Sequence, residues 1–220
     1  MPRQSGVVDS LEARIVFEPE YRVADALRGL EGFSHLWLIW EFSEVTKARA
    51  SQTEGGNLQS SVPEWSPTVR PPRLGGNKRM GVFATRSPFR PNPIGLSSVR
   101  ISRIELSTAE GPVIYVSGAD LMDGTPIFDI KPYLAFTDSH PDALGGFTQQ
   151  TLAQESLEVS IPESVASRFT EAKLVALREV LAQDPRPHYQ SEPERIYGLE
   201  FAGVNVRFRV SGTCVEVLED

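Results

Sequence analysis

The sequence predicts a mainly β fold: a β-barrel domain followed by a small α+β domain at the C-terminal end. Three observations carry that expectation. Short runs of alternating apolar and polar residues succeed one another through the first 145 residues, with little helical spacing between them. No G-x-G-x-x-G follows a predicted strand, so the glycine turn of a doubly wound, Rossmann-type nucleotide fold is absent. The longest helical spacing appears only beyond Ser160. The expected division is residues 1–145 for the barrel and 157–220 for the small domain, with a polar linker over 145–156 between them.

Each element has its own pattern. Leu11, Ala13, Ile15 and Phe17 alternate with Glu12 and Arg14, which predicts a half-buried strand. Val23, Ala26, Leu27 and Leu30 share one helical face, and Gly32 is a natural stop. Residues 34–42 (SHLWLIWEF) are short, aromatic and nearly continuous in apolar side chains, which predicts a buried strand with Trp37 and Trp40 in the core. Residues 45–78 show no sustained periodicity and read as a loop. Met80, Val82 and Phe83 predict a short strand, and residues 97–106, 113–116 and 125–130 three more, with Asp123-Gly124 as a turn. Ser160-x-x-Glu163 around Pro162 reads as a helix start. Val165, Phe169, Ala172, Ala176 and Val180 then continue one helix until Pro185. Residues 201–210 and 213–218 predict a closing hairpin turned at Ser211-Gly212.

Composition narrows the function. The 220 residues are 40% hydrophobic, enough for a core, and no apolar run approaches the roughly 18 residues of a membrane span. No basic-then-apolar signal pattern opens the chain, and the one cysteine, Cys214, excludes an internal disulfide. A cytoplasmic protein without a membrane segment is expected. His35, His140 and His188 are far apart, and the Asp series 123, 129, 138 and 142 is too irregular for a calcium loop, so no metal site is expected. The Walker, H-E-x-x-H and G-x-S-x-G motifs are absent.

Charge is distributed unevenly. Residues 66–104 hold eight Lys or Arg and no Asp or Glu. Of 22 basic side chains in the chain, that leaves 14 against all 29 acidic ones, a balance of −15 outside a +8 stretch. Such a local field suits an anionic partner. At its centre lies Arg79-to-Ser98, RMGVFATRSPFRPNPIGLSS, in which Pro91 and Pro93 bracket Asn92. Two fixed φ values leave the backbone little freedom, so Arg86 and Arg90 are presented from a firm loop.

Four motifs carry a family resemblance: GVFATRSPFRPNPIGLS; Pro71-Pro72-Arg73-Leu74-Gly75-Gly76-Asn77; Asp123-Gly124-Thr125-Pro126 with Asp129-Ile130-Lys131-Pro132-Tyr133; and Asp184-Pro185-Arg186-Pro187-His188-Tyr189. Taken in chain order they resemble the TsaA-like family of tRNA methyltransferases, over nearly the whole chain. The resemblance implies an S-adenosylmethionine-dependent enzyme that methylates N6 of threonylcarbamoyladenosine beside the tRNA anticodon, and a homodimer. The rival class is a non-catalytic module that binds S-adenosylmethionine, another nucleotide or RNA. The family's Pro-Arg-Gln follows an opening strand. Here Pro2-Arg3-Gln4 stands at the start, and the expectation is that this strand is missing from a truncated or misassigned beginning. Residues 48–64 read as an insert relative to the family.

By resemblance, Pro2, Arg3, Gln4, Ser34, His35, Arg86, Leu96, Leu121, Asp123, Gly124 and Thr125 surround the methyl donor. Methyl transfer needs in-line positioning in a dry site. A ureido N6 shares its lone pair with a carbonyl and a purine, so a base or a nearby cation is also expected. Arg86 and Arg90 are candidates for the cation or for a clamp on the threonyl carboxylate. Asp123, Asp129, His188 and Tyr189 are candidate bases, left unranked. The predicted catalytic set is Arg86, Arg90, Asp123 and Tyr189. Arg70, Arg73, Lys78, Arg79 and Arg186 are expected to face RNA phosphates.

Overall fold

The computed structural model describes residues 4–6, 8, 10–54, 65–71, 78–151, 156–186 and 195–219. In chain order, β1 is Glu12–Val16, β2 His35–Glu41, α1 Ser43–Glu54, β3 Thr68–Val69, β4 Met80–Gly81, β5 Ile94–Thr108, β6 Gly111–Ser117 and β7 Ile127–Pro132. A short helix, α2, covers Ala135–Asp138. Then follow β8 Glu158–Ser160, α3 Glu163–Ala166, α4 Glu171–Ala182, β9 Tyr197–Phe201, β10 Val204–Ser211 and β11 Cys214–Val217.

The first sheet runs β1-β6-β5-β2-β7, and every pairing is antiparallel. On β2 the alternation is strict: Leu36, Leu38 and Trp40 are buried, while His35, Trp37, Ile39 and Glu41 lie on the other face. Ile15, Val99, Ile114, Val116 and Ala119 complete that core with Leu27. Each fully buried aliphatic side chain contributes about 1.5–3 kcal/mol. The 15-residue β5 serves two neighbours through different halves. Ile94 to Arg100 pair with β2, and Arg100 onward with β6, across register shifts at Ile101/Arg103 and Glu105/Thr108. Such bulges bend a strand and raise its twist, which curls the sheet around its core. The fold is therefore mainly β, as expected. The outer strands β1 and β7 are not paired with each other among the described residues, so the hydrogen-bonded sheet is open rather than a closed barrel.

The second sheet runs β8-β11-β10-β9, with β8 parallel to β11 and the rest antiparallel. Leu177 and Leu181 of α4 and Val165 of α3 pack against Val206, Phe208, Val210, Val215 and Val217 in a core of its own.

Several expectations need correction. The polar stretch after Phe42 opens with a 12-residue helix, α1, so the main helices are not confined to the region beyond Ser160. It escapes a periodicity search because Ser, Glu, Lys, Ala, Arg and Gln support a helix by propensity without an apolar stripe. The helix expected over 23–30 is instead a 3-10 turn at Ala24–Leu27 and another at Leu30–Gly32. Gly29 at φ 89° separates them, and of the predicted face only Leu27 is buried. The long C-terminal helix is two, interrupted where Thr170 turns extended at ψ 158°. Ser160 belongs to β8, and Pro162 caps α3 without a side-chain bond. The predicted strand 201–210 is cut after Phe201 by a turn at Ala202 and Gly203, both left-handed (φ 51° and 80°).

Candidate functional site

The loop between β4 and β5 is folded on its own hydroxyls. Val82–Ala84 forms a 3-10 turn, and the Val82 carbonyl accepts from Thr85 N–H at 3.0 Å and from its hydroxyl at 2.8 Å. Thr85 Oγ1 accepts from Ser87 N–H at 3.2 Å, and Ser87 Oγ from Phe89 N–H at 3.3 Å. Arg90 Nη1 then donates back to the Thr85 carbonyl at 3.1 Å. Successive Ser/Thr turns thus add to the fixed φ of three prolines. Arg90 is a clip inside the loop, half-buried. Arg86 is exposed, and its Nη1 donates to Gln4 Oε1 at 2.8 Å.

That contact joins three chain segments. Gly6 N–H donates to the Gly118 carbonyl at 2.9 Å, which docks the segment carrying Gln4 onto the loop after β6. The same loop is anchored from below: buried Trp40 Nε1 donates to Ser97 Oγ at 2.9 Å, and Ser97 Oγ to Asp120 Oδ1 at 2.6 Å. Ser97 is only 1% exposed, so these bonds offset the cost of burying its hydroxyl. Leu121 packs against the core, and residues 122–125 turn tightly, with Thr125 N–H and Oγ–H both donating to the Met122 carbonyl. Gly124 sits at φ 70° with open space around it, so conformation rather than room calls for glycine. Asp123 is exposed. Glu41 N–H donates to the Pro126 carbonyl and Phe42 N–H to that of Pro93, which brings both loops to the Glu41 end of β2. Leu96, paired with Ile39, is 55% exposed on the sheet's outer face.

Gln4, Arg86, Leu96, Leu121, Asp123, Gly124 and Thr125 therefore belong to one region. Ser34 and His35 lie at the start of β2, about 20 Å along the strand from Glu41 at roughly 3.3 Å per residue. There Ser34 Oγ lies 2.8 Å from His35 Nδ1, and the His35 ring tilts against Tyr133 at 6.1 Å. Pro2, Arg3, Arg73, His188 and Tyr189 lie outside the described residues.

The remaining predicted residues are distributed as follows. Arg70, Lys78 and Arg79 are exposed, and Arg79 Nε donates to Thr68 Oγ1 at 3.0 Å across β3 and β4. Arg186 is engaged within its own loop. Its side chain is 17% exposed and forks onto Asp184, Nε to Oδ1 at 2.8 Å and Nη2 to Oδ2 at 2.9 Å. The hydrogen bond to Asp184 raises its already high pKa. Asp129 is held below the usual carboxylate range, first by its bond to Lys131, which makes it a weaker base than a free carboxylate. Among the described residues no group of three or more His, Cys, Asp or Glu is placed to hold a metal ion. None of their helices is long and apolar enough to cross a membrane.

Sequence reasoning missed three features. The Trp40–Ser97–Asp120 relay has no signal beyond Ser97 lying in the proline-arginine run. Trp37, read as core, donates through Nε1 to Asp138 Oδ2 at 2.7 Å. A cavity of about 340 Å³ is lined by Ser10, Glu12, Arg100, Ser102 and Ser117. Register aligns Glu12, Ser117, Arg100 and His35 across four strands there.

Residues 1–139 match the model of the tRNA-methyltransferase O N-terminal domain, and residues 146–219 that of the TrmO C-terminal domain. A curated relative from Escherichia coli (strain K12), a tRNA (adenine(37)-N6)-methyltransferase, is 43% identical over 99% of this chain and 88% of its own. The human tRNA (adenine(37)-N6)-methyltransferase is 34% identical over 87% of this chain and 38% of its own length. A crystal structure of TrmO from Pseudomonas aeruginosa superposes with a TM-score of 0.68 at 29% identity, covering 99% of this chain and 88% of that one.

Proposed function

This chain belongs to the tRNA-methyltransferase O family, and from that premise we propose an S-adenosylmethionine-dependent enzyme that methylates N6 of the adenosine next to the tRNA anticodon. The acceptor in this reading is the threonylcarbamoyl form of that adenosine. The observation that carries the reading is the Gln4–Arg86 contact. It ties the start of the chain to the proline-arginine loop, beside the turn bearing Asp123, Gly124 and Thr125.

The groups present fit the donor. Arg86 keeps four of its five guanidinium N–H donors beyond the one given to Gln4, which suits a carboxylate. Exposed Asp123 suits an ammonium or a pair of ribose hydroxyls, and exposed Leu96 suits the face of a purine. When bound, S-adenosylmethionine supplies an electrophilic methyl on a positively charged sulfur. The protein's part is to hold the acceptor N6 in line and shield it from water. Arg90 stays charged and fixed by the Thr85 carbonyl, so it offers positive charge to the ureido oxygen without reorganising. Asp123 is the preferred proton acceptor over Asp129, whose carboxylate is engaged by Lys131. Tyr189 completes the proposed catalytic set with Arg86. Pro2, Arg3 and Leu121 remain in the proposed donor site.

Ser34 and His35 remain in it too. A homodimer belongs to the same reading, and exposed Ile94 and Phe128 on β5 and β7 supply apolar area for such a pair. The domain division at 1–145 and 157–220, a barrel closed by a strand between β1 and β7, a cytoplasmic location and independence from metal belong to the same proposal. Arg70, Arg73, Lys78, Arg79 and Arg186 are its RNA contacts.

Nucleoside mass spectrometry of tRNA incubated with the protein and isotope-labelled donor tests it. A labelled methyl on threonylcarbamoyladenosine is expected. Donor binding without label in tRNA refutes the enzyme and leaves a binding module.

A further inference from the structure

Three large aromatic side chains stand in solvent beside the basic loop. Phe83 is 71% exposed, Phe89 46% and Trp65 40%. They are held together by backbone rather than by burial. Ser66 N–H donates to the Phe89 carbonyl at 3.0 Å, Val82 N–H to the Pro67 carbonyl at 3.0 Å, and β3 pairs with β4 between them. The Trp65 and Phe83 rings lie 6.3 Å apart and 25° from parallel. The Arg90 guanidinium sits 6.0 Å above the Phe83 ring. Val82, 1% exposed, roots the turn from which Phe83 projects.

We propose that Trp65, Phe83 and Phe89 form a stacking platform for unpaired bases of the tRNA anticodon loop. Arg79 runs beside it to take a flanking phosphate. The proposal rests on the tRNA reading above and adds to it the residues that hold the bases. Solvated aromatic faces next to cations, in a stretch without a single carboxylate from residue 66 to 104, match single-stranded RNA on both counts. Every base has a π-face, so near-parallel rings grip a loop whatever its sequence. A second copy of the chain is the poorer occupant: in a two-fold pair this surface meets itself, setting Arg79 against its own copy.

Titration of an anticodon stem-loop RNA across a salt series tests this with the full chain. Trp65→Ala and Phe83→Ala are each expected to weaken binding about tenfold with an unchanged salt slope, because stacking releases no counterions. Phe83→Leu is expected to lose as much, since it keeps apolar bulk but no stacking face. Arg79→Ala is expected to flatten the slope by about 0.7. Donor affinity by calorimetry stays at the wild-type value in all four. Wild-type RNA affinity in both Trp65→Ala and Phe83→Ala overturns the platform while leaving the methyltransferase reading intact, provided wild type still labels tRNA. A wild-type protein that neither binds nor labels tRNA overturns both. A shift of Phe83→Ala from dimer to monomer in light scattering, with RNA affinity recovered at higher protein concentration, overturns the platform and assigns the surface to a second copy.

Discussion

Gly95 stands in the run that carries the family resemblance, where a glycine invites a conformational explanation. Its backbone is not left-handed, and what calls for glycine is space. It pairs directly with Trp40, and an added Cβ would lie 2.2 Å from Cε2, 2.4 Å from Cζ2 and 2.6 Å from Cδ2 of the indole. The indole cannot retreat, because it is 5% exposed, packs on Phe42 at 4.4 Å and donates to Ser97. Gly95→Ala therefore forces a rigid ring out of a filled core. Overpacking costs about 1–3 kcal/mol, and loss of the Trp40–Ser97 bond about 1 kcal/mol more. The sum, about 2–4 kcal/mol, corresponds to a fall of roughly 4–16 °C in melting temperature at this chain length. Denaturant unfolding of Gly95→Ala, Trp40→Leu and the double variant measures it. In the Trp40→Leu background the alanine should cost less, with a coupling of about 1–3 kcal/mol. Additive effects, or a Gly95→Ala protein as stable as wild type, refute the steric account.

Other outcomes follow from the same contacts. Arg86→Ala and Asp123→Ala should each weaken donor binding roughly ten- to a hundredfold in calorimetry, the range of a charge-assisted bond. Gln4→Ala should do less, since it frees the guanidinium rather than deleting it. Asp138 is held below the ordinary carboxylate value by the Leu134 N–H first and Trp37 Nε1–H second. Its stabilising effect is therefore full above the unfolded value of about 4 and is lost as pH falls through the depressed native value. Asp138→Asn should flatten the acid limb of a melting-temperature profile below about pH 4 and lower stability at neutrality. Arg186→Ala should lower stability by about 1 kcal/mol in chemical unfolding, because the Asp184 carboxylate, on a residue at φ 49°, loses its guanidinium.

Much of the strand order was legible because β periodicity is a local signal. Alternation identified β1 and, roughly, β5, and short apolar runs identified β2, β6 and β7, each to within a few residues. The helices were harder. α1 lacks an apolar stripe, and the break between α3 and α4 lies inside an unbroken helical spacing, so only the backbone at Thr170 reveals it. The candidate site was drawn from motifs, and its geometry came only with the structure. Arg86 with Gln4, and the turn at Asp123 to Thr125, share one region. Ser34 and His35 came from the same resemblance and lie at the start of β2, away from its Glu41 end. Arg90 and Arg186 read alike as cations in loops. One clips its own loop through the Thr85 carbonyl, and the other is forked onto Asp184.

The sequence by itself determined what each segment is able to be. Residue spacing fixes which side chains share a face, proline and glycine limit φ locally, and a +8 stretch in a −7 chain is charged wherever it lies. The tertiary structure decided what those segments do to one another. Which guanidinium stays open for a ligand, which serine is buried between a tryptophan and an aspartate, and which aromatics are left in solvent depend on register across strands distant in sequence. The physical reason is that spacing is a one-residue property, whereas burial and hydrogen-bond partnership belong to pairs brought together only when the sheet closes its core.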